Sequence, residues 1–146
     1  MAKLDKEKQL VLMVDDSEDD CLLLKLALSR AARLRFIGSV CDGEEAVAYL
    51  GGKGSYSDRE RYPLPDLLLL DLMMPRKNGF EVLEWLQIQP FDDMTIVVLS
   101  GSEQPEDRKR ALALGADYYH TKEASPHKRL ELVKRREEYV ADSGEG

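Results

Sequence analysis

Four consecutive leucines, Leu67-Leu68-Leu69-Leu70, run directly into an aspartate, Asp71. A short unbroken run of large aliphatics describes a strand buried on both faces, as in the middle of a parallel sheet. A carboxylate closing such a strand is out of place in a core. In an open α/β sheet it is well placed for chemistry, because sites form beyond the carboxyl ends of the strands. Taken alone, Asp71 could equally begin a turn ahead of Pro75.

The same punctuation recurs along the chain. Gln9-Leu10-Val11-Leu12-Met13-Val14 is a second strand-like run, and it stops at Asp15-Asp16. Ser17-Glu18-Asp19-Asp20 then opens an amphipathic stretch with Leu22, Leu23, Leu26, Ala27 and Arg30. Asp19 and Asp20 read well as first-turn charges that favour the helix dipole. Asp15 and Asp16, adjacent and at a strand end, fit that reading less well. Met94 to Leu99 is a third run, ending at Ser100-Gly101. Ala116-Asp117-Tyr118-Tyr119 is a fourth, followed by Thr121-Lys122. If these strands are neighbours, Asp15, Asp16 and Asp71 converge. Three carboxylates in one pocket repel one another and call for a cation, and oxygen-only ligation with room for waters suits Mg²⁺. The strand ends thus carry a phosphoryl-transfer inventory. Asp71 is the nucleophile candidate, Lys122 neutralises the transferred group together with Mg²⁺, and Ser100 donates a hydrogen bond to it.

Between these strands the pattern alternates. Arg35 to Val40 reads as a short strand, and Asp42-Gly43 turns it into a helix over 44–50 that Gly51-Gly52 stops. The connection 51–66 is longer than most of its kind, rich in glycine, proline and mixed charge, and is expected to be exposed. Its tyrosines can pin it to the surface, or it can meet a partner. Asn78-Gly79 begins a helix whose Phe80, Leu83 and Leu86 face the sheet, with Trp85 off that stripe. Pro105 to Leu114 is a short helix closed by Gly115, and a last helix runs over 126–140. Five strands alternating with five helices predict an α/β fold. The expected sheet is five-stranded and parallel, helices cover both faces, and the order is flavodoxin-like (βα)5, 2-1-3-4-5. Residues 1–8 read as an extension, 9–140 as one domain, and 141–146 as a tail.

On these residues the chain resembles the receiver domain of two-component response regulators. The matching pieces are Val14-Asp15-Asp16-Ser17, Leu69-Leu70-Asp71-Leu72-Met73-Met74-Pro75 with Gly79, Val98-Leu99-Ser100-Gly101, Gly115-Ala116-Asp117-Tyr118-Tyr119, and Lys122. The resemblance implies that Asp71 accepts phosphate from a sensor histidine kinase in a Mg²⁺-dependent reaction. It implies that Asp16 ligates the metal with Asp71 and the Met73 backbone carbonyl, while Asp15 acts from an outer position. It implies that Lys122 contacts the phosphoryl oxygens and that Ser100 and Tyr119 switch together, the ring rotating inward. The family usually has Pro after this lysine, with a cis peptide before it; Glu123 stands there, so the path beyond Lys122 departs from the pattern. The expected role is a stand-alone phosphorylation switch, since one helix after Lys122 the chain ends. Its output is contact with a downstream protein, a second copy of itself through 105–140, or a phosphotransfer partner in a relay. The 51–66 connection and the missing Pro are similar to members that partner phytochrome-type kinases.

The residues argue against several other classes, with an aspartyl-nucleophile phosphatase the first alternative. With 21 basic and 28 acidic residues the net charge is −7, which disfavours wholesale nucleic-acid binding. No apolar run reaches membrane-spanning length. Cys21 and Cys41 lack metal spacing and read as reduced, buried or half-buried thiols in the cytoplasm. A turnover enzyme with an aspartyl nucleophile, a phosphatase, would show an acid two residues past Asp71, where Met73 stands. A flavin carrier would need a glycine- and hydroxyl-rich loop where Asp15 to Asp20 lie. A degenerate, phosphate-independent receiver would lack the full acid, hydroxyl and lysine set. His120 and His127 read as ordinary loop or helix-start residues. The basic runs 108–110 and 134–136 read as solvated helix faces, or alternatively as a surface for an acidic partner.

Overall fold

The structure, a computed structural model, describes residues 8–74, 76–89, 91 and 93–122. The expected last helix, His127, the second basic run, the tail and the Lys122–Glu123 peptide lie outside the described residues. The described chain alternates β1 (Gln9–Val14), α1 (Glu18–Leu28), β2 (Leu34–Val40), α2 (Gly43–Leu50), β3 (Leu67–Leu70), α3 (Gly79–Gln87), β4 (Thr95–Ser100), α4 (Pro105–Ala113) and β5 (Tyr118–Thr121). All strand pairs are parallel, and the sheet order is β2-β1-β3-β4-β5. Both the order and the parallel pairing are those expected from the alternating pattern.

The leucine run behaves as a doubly buried strand because alternate residues feed two cores. Leu68 and Leu70 join Leu12, Val14 and Val98 under the apolar faces of α2 and α3, with Ala111 of α4. Leu67 and Leu69 join Val11, Met13 and Val97 under Leu24 and Leu28 of α1. On α3 the expected Phe80, Leu83 and Leu86 are buried, and so is Val82. Val82 reaches the core because α3 packs on α2 as well as on the sheet, which widens its apolar stripe.

The helix starts carry the caps that their sequences announce. Ser17 accepts from the Asp20 N–H at 3.2 Å, and Asp42 from the Glu45 N–H at 2.8 Å. Asn78 and Glu81 form a reciprocal capping box, at 3.0 and 3.2 Å. Two acids at strand entrances tie the sheet together. Asp66 accepts from the Leu10 N–H and Asp117 from the Ile96 N–H, each at 2.8 Å.

Four expectations need correction. The last strand begins at Tyr118, not at Ala116, and extends to Thr121. Ala116 is used to close α4, its N–H on the Ala111 carbonyl, and Asp117 braces β4. His120 therefore sits within β5, opposite Leu99, and not in a loop. Cys41 is exposed, because it follows β2 where the chain turns outward; only Cys21 is half-buried. Arg110 is more than a solvated charge: its guanidinium lies 4.1 Å from the Phe80 ring centroid and 3.6 Å from Glu84.

The connection after α2 is exposed at Lys53–Ser55 and at Glu60-Arg61, yet pinned from within. Tyr49, Tyr56 and Tyr62 form a mutual aromatic cluster with ring centroids 5.0 to 5.9 Å apart. Arg59 reaches under it and donates to the carbonyls of Tyr49, Leu50 and Tyr62 at 2.7 to 3.2 Å. These include the Leu50 carbonyl at the α2 C-terminus, beyond the reach of the helix's own N–H groups. Pro65 is buried where the connection enters β3.

Candidate functional site

Because β1 and β3 are direct neighbours in register, Val14 beside Leu70, the acids that follow each strand are carried to one edge. Carboxylate oxygens of Asp15, Asp16 and Asp71 lie within 4.8 Å of one another. Asp15 and Asp71 are buried, at 2 % and 5 % exposure, and Asp16 is exposed. This is the convergence expected from the strand ends. An oxygen-only group of this size has the chemistry of a hard divalent-cation site.

Lys122 is brought in by the other half of the sheet. β4 and β5 pair with Ser100 opposite Thr121, and the Lys122 N–H donates to the Ser100 carbonyl at 2.6 Å. Its ammonium then crosses toward β1, to 2.5 Å from Asp15 Oδ2, 3.0 Å from Asp20 Oδ2 and 3.5 Å from Asp71 Oδ2. Asp20 is thus a member of the site. Sequence reasoning assigned it only to the helix dipole, and its place three residues past the Ser17 cap gave no signal of a partner at residue 122.

The electrostatics follow from this crowding. Burial pushes the Asp71 carboxyl up to about 6; Asp15 and Asp16 push the same way, and Lys122 and the Met73 N–H oppose them. Burial by itself would lower Lys122. Its hydrogen bonds to Asp15 and Asp20, with the charges of Asp15 and Asp71, outweigh that and hold its ammonium above the ordinary range.

Each oxygen of Asp15 is engaged, Oδ1 by the Ser17 N–H at 2.9 Å and Oδ2 by Lys122. Asp71 Oδ1 accepts from the Met73 N–H at 3.2 Å, which sets residue 73 against the carboxylate. Met73 itself is 65 % exposed. Behind it the chain turns tightly into α3. The Gly79 N–H donates to the Leu72 carbonyl at 3.0 Å, and a Cβ at Gly79 would lie 2.4 Å from the Asp71 carbonyl oxygen. Glycine is required there by proximity.

Ser100 is fully buried at the end of β4, its Oγ accepting from the Ser102 N–H at 3.2 Å. The Ser102 hydroxyl donates to Asp107 of α4 at 2.5 Å, and its carbonyl accepts from the Tyr119 hydroxyl at 3.0 Å. Tyr119 lies inside the core. The ring that the resemblance implies rotates inward is thus buried here, 6 % exposed. The ring completes the cluster beneath α4, and its hydroxyl keeps a partner, so its burial leaves no polar group unsatisfied.

Comparison with known proteins places these features. The family model for the response regulator receiver domain matches residues 11–134. The alkaline phosphatase synthesis transcriptional regulatory protein PhoP of Bacillus subtilis is 35 % identical over 138 residues, covering 92 % of this chain and 52 % of that protein. The chain therefore spans about half the length of that relative. Response regulator Rcp1 of Synechocystis sp. is 33 % identical over 115 residues, 78 % of this chain and 76 % of Rcp1. A solved structure of Rcp1 in its Mn²⁺-bound form superposes with a TM-score of 0.75 at 32 % identity, covering 87 % of this chain and 90 % of that one. The phosphorylated cyanobacterial phytochrome response regulator RcpA superposes with a TM-score of 0.83 at 33 % identity, covering 92 % and 94 % of the two chains.

Proposed function

Because the chain belongs to the response regulator receiver domain family of two-component signalling, we propose that Asp71 is its phosphoacceptor and that it works as a Mg²⁺-dependent, kinase-driven switch of a protein-interaction surface. The observation that carries this reading is the packing of Asp15, Asp16 and Asp71 within 4.8 Å, with the Lys122 ammonium 3.5 Å from Asp71. Asp71 Oδ attacks the phosphorus of a phosphohistidine; the oxygen–phosphorus bond forms, the phosphorus–nitrogen bond breaks, and the imidazole leaves. The chain modifies and restores only itself and turns over no external substrate.

Asp16, Asp71 and the Met73 carbonyl would hold the metal, with Asp15 behind them; that both Asp15 oxygens are already engaged supports this division. Bound there, Mg²⁺ would neutralise charge on the transferring phosphoryl oxygens. Lys122 supplies the protein's own cation beside them. Ser100 offers its hydroxyl. Movement of Ser100 toward the new phosphoryl oxygens would pull on Ser102, which holds both Asp107 and Tyr119. The signal then reaches α4 and β5 as a two-state rearrangement biased by a local charge.

The domain is read as 9–140, with 51–66 as its long connection. The likeness to the phytochrome response regulator RcpA supports a phytochrome-type sensor histidine kinase as the donor. The receiver of the signal is a downstream protein, a phosphotransfer protein or a second copy docking through 105–140. Among the described residues no helix is long and apolar enough to cross a membrane. A cytoplasmic setting belongs to the proposal.

The test is intact-mass analysis after incubation with a small phosphodonor. Wild type should gain one phosphoryl group with Mg²⁺ and none with chelator, and Asp71→Asn should gain none. Stoichiometric modification of the Asn variant would sink the assignment.

A further inference from the structure

Arg76 adopts a left-handed backbone conformation, φ 65°, that residues other than glycine rarely take. Its guanidinium lies on Asp42, with Nε 2.9 Å and Nη2 2.6 Å from Oδ2. The other oxygen of Asp42 caps α2 through the Glu45 N–H. The aspartate side chain is 5 % exposed and that of the arginine 66 %, so a buried carboxylate holds a surface cation and its backbone. A second tie lies beside the first. The Gly43 N–H donates to the Lys77 carbonyl at 2.9 Å, and a Cβ on Gly43 would stand 2.0 Å from that oxygen. Between Leu72 and Gly79 the chain is thus closed at its base by the Gly79 N–H and strapped to the start of α2 at Arg76 and Lys77. Met73, which sets Asp71 Oδ1 through its N–H, lies inside that closed segment.

We propose that the Arg76–Asp42 pair is a latch that positions Met73 and the described residues before α3 for metal binding and phosphoryl transfer, Arg76 acting as a positioning residue. The proposal rests on the reading of Asp71 as phosphoacceptor and deepens it. Asp71 itself follows β3 and is fixed by the sheet. Met73 lies past the strand, its N–H held by Asp71 Oδ1, and the loop that carries it holds an arginine in an unfavourable conformation. Without the ion pair an arginine relaxes away from positive φ and carries the Met73 amide and carbonyl with it. Glycine would keep the conformation accessible without the tether, so the two contributions separate by mutation.

The experiment measures Mg²⁺ affinity by titration calorimetry and phosphorylation rate with a small phosphodonor. The proteins are wild type, Arg76→Gln, Arg76→Gly, Asp42→Asn and the Arg76→Gln/Asp42→Asn double variant. Asn at position 42 keeps the helix-capping oxygen while removing the charge. Arg76→Gln and Asp42→Asn should each weaken Mg²⁺ binding roughly tenfold, the low end for loss of a group that orients metal ligands, and slow phosphorylation in step. The double variant should be no worse than either single one, because both remove the same interaction. Arg76→Gly should fall between Arg76→Gln and wild type. Thermal unfolding reports a purely structural role: a lowered midpoint with Mg²⁺ affinity and rate within twofold of wild type overturns the latch, as does additivity in the double variant. Should wild type bind Mg²⁺ yet take no phosphoryl group, the phosphoacceptor reading fails, and the Mg²⁺ affinities still decide the latch.

Discussion

Asp71 is held in a place that disfavours its charge. A carboxyl whose folded pKa is raised is favoured protonated in the fold. Its contribution to stability is fully present below the ordinary carboxylate range and is lost as pH rises through about 6. Asp71→Asn keeps the shape and an acceptor for the Met73 N–H without the charge. With divalent metal chelated, this variant should exceed wild type in stability at pH 7 by about 3 kcal/mol, on a scale of ~1.4 kcal/mol per tenfold change in proton affinity. At pH 4 the gap should close. Denaturant unfolding at the two pH values measures it, and equal stability at pH 7 would show that the buried charge carries no penalty. Met73 gives a second residue-scale prediction. Met73 is exposed, its N–H on the carboxylate, and its thioether cannot orient an attacking water, whereas an amide can. Met73→Asn should shorten the lifetime of phospho-Asp71 a few-fold, well short of the ~10²–10⁴ of a positioned general base. Decay followed by mass spectrometry checks this, and a longer lifetime in the variant contradicts it.

At the scale of elements, the 51–66 connection is held to α2 by side chains that a composition argument cannot weigh. Arg59 caps the helix end, and Tyr56 donates to Glu45 at 2.8 Å while Glu45 also accepts from the Cys41 N–H. Burial, with the Glu45 hydrogen bond and charge, pushes the Tyr56 hydroxyl up to about 12. The neutral phenol is therefore favoured in the fold. Its stabilisation is complete below the ordinary tyrosine pKa and is lost as pH rises toward about 12. Tyr56→Phe should cost about 1 kcal/mol, the usual net worth of such a bond. It should also remove a late-ionising phenol from an ultraviolet tyrosinate titration. A missing component centred near the value of free tyrosine would mean the bond to Glu45 does not form.

At the scale of the whole molecule, the two cores formed by the described residues lie on opposite faces of the sheet, and β3 stands at its centre. Leu68 is fully buried on the α2–α3 side. Leu68→Ala should lower stability by about 3 kcal/mol, within the range for emptying a buried leucine site. A loss under about 1 kcal/mol in denaturant unfolding would mean that the neighbouring helices collapse into the space. The same central position explains the site. With β1 on one side of β3 and β4 on the other, acids from two strands and, through β5, a lysine from a third reach one edge.

Much of this was legible in the residues. Runs of aliphatics ending in Asp15-Asp16, Asp71 and Ser100 specify buried strands and put polar groups at their ends. This follows because a doubly covered strand tolerates no interior charge, and because side-chain periodicity is local. The Ser17, Asp42 and Asn78 caps are local for the same reason. The limits of β5 were not legible, because Asp117 looks like a strand residue until its carboxylate is seen to brace Ile96. Asp20 beside Lys122, Arg76 on Asp42, Arg59 under α2 and Tyr119 on the Ser102 carbonyl were not legible either. Each pairs groups 9 to 102 positions apart in the chain, on elements that meet only when the sheet is assembled. The sequence by itself determined which residues must be buried and which chemistry sits at the strand ends. Only the tertiary structure decided which charge faces which, because that depends on strand order and on loop paths that no local periodicity encodes.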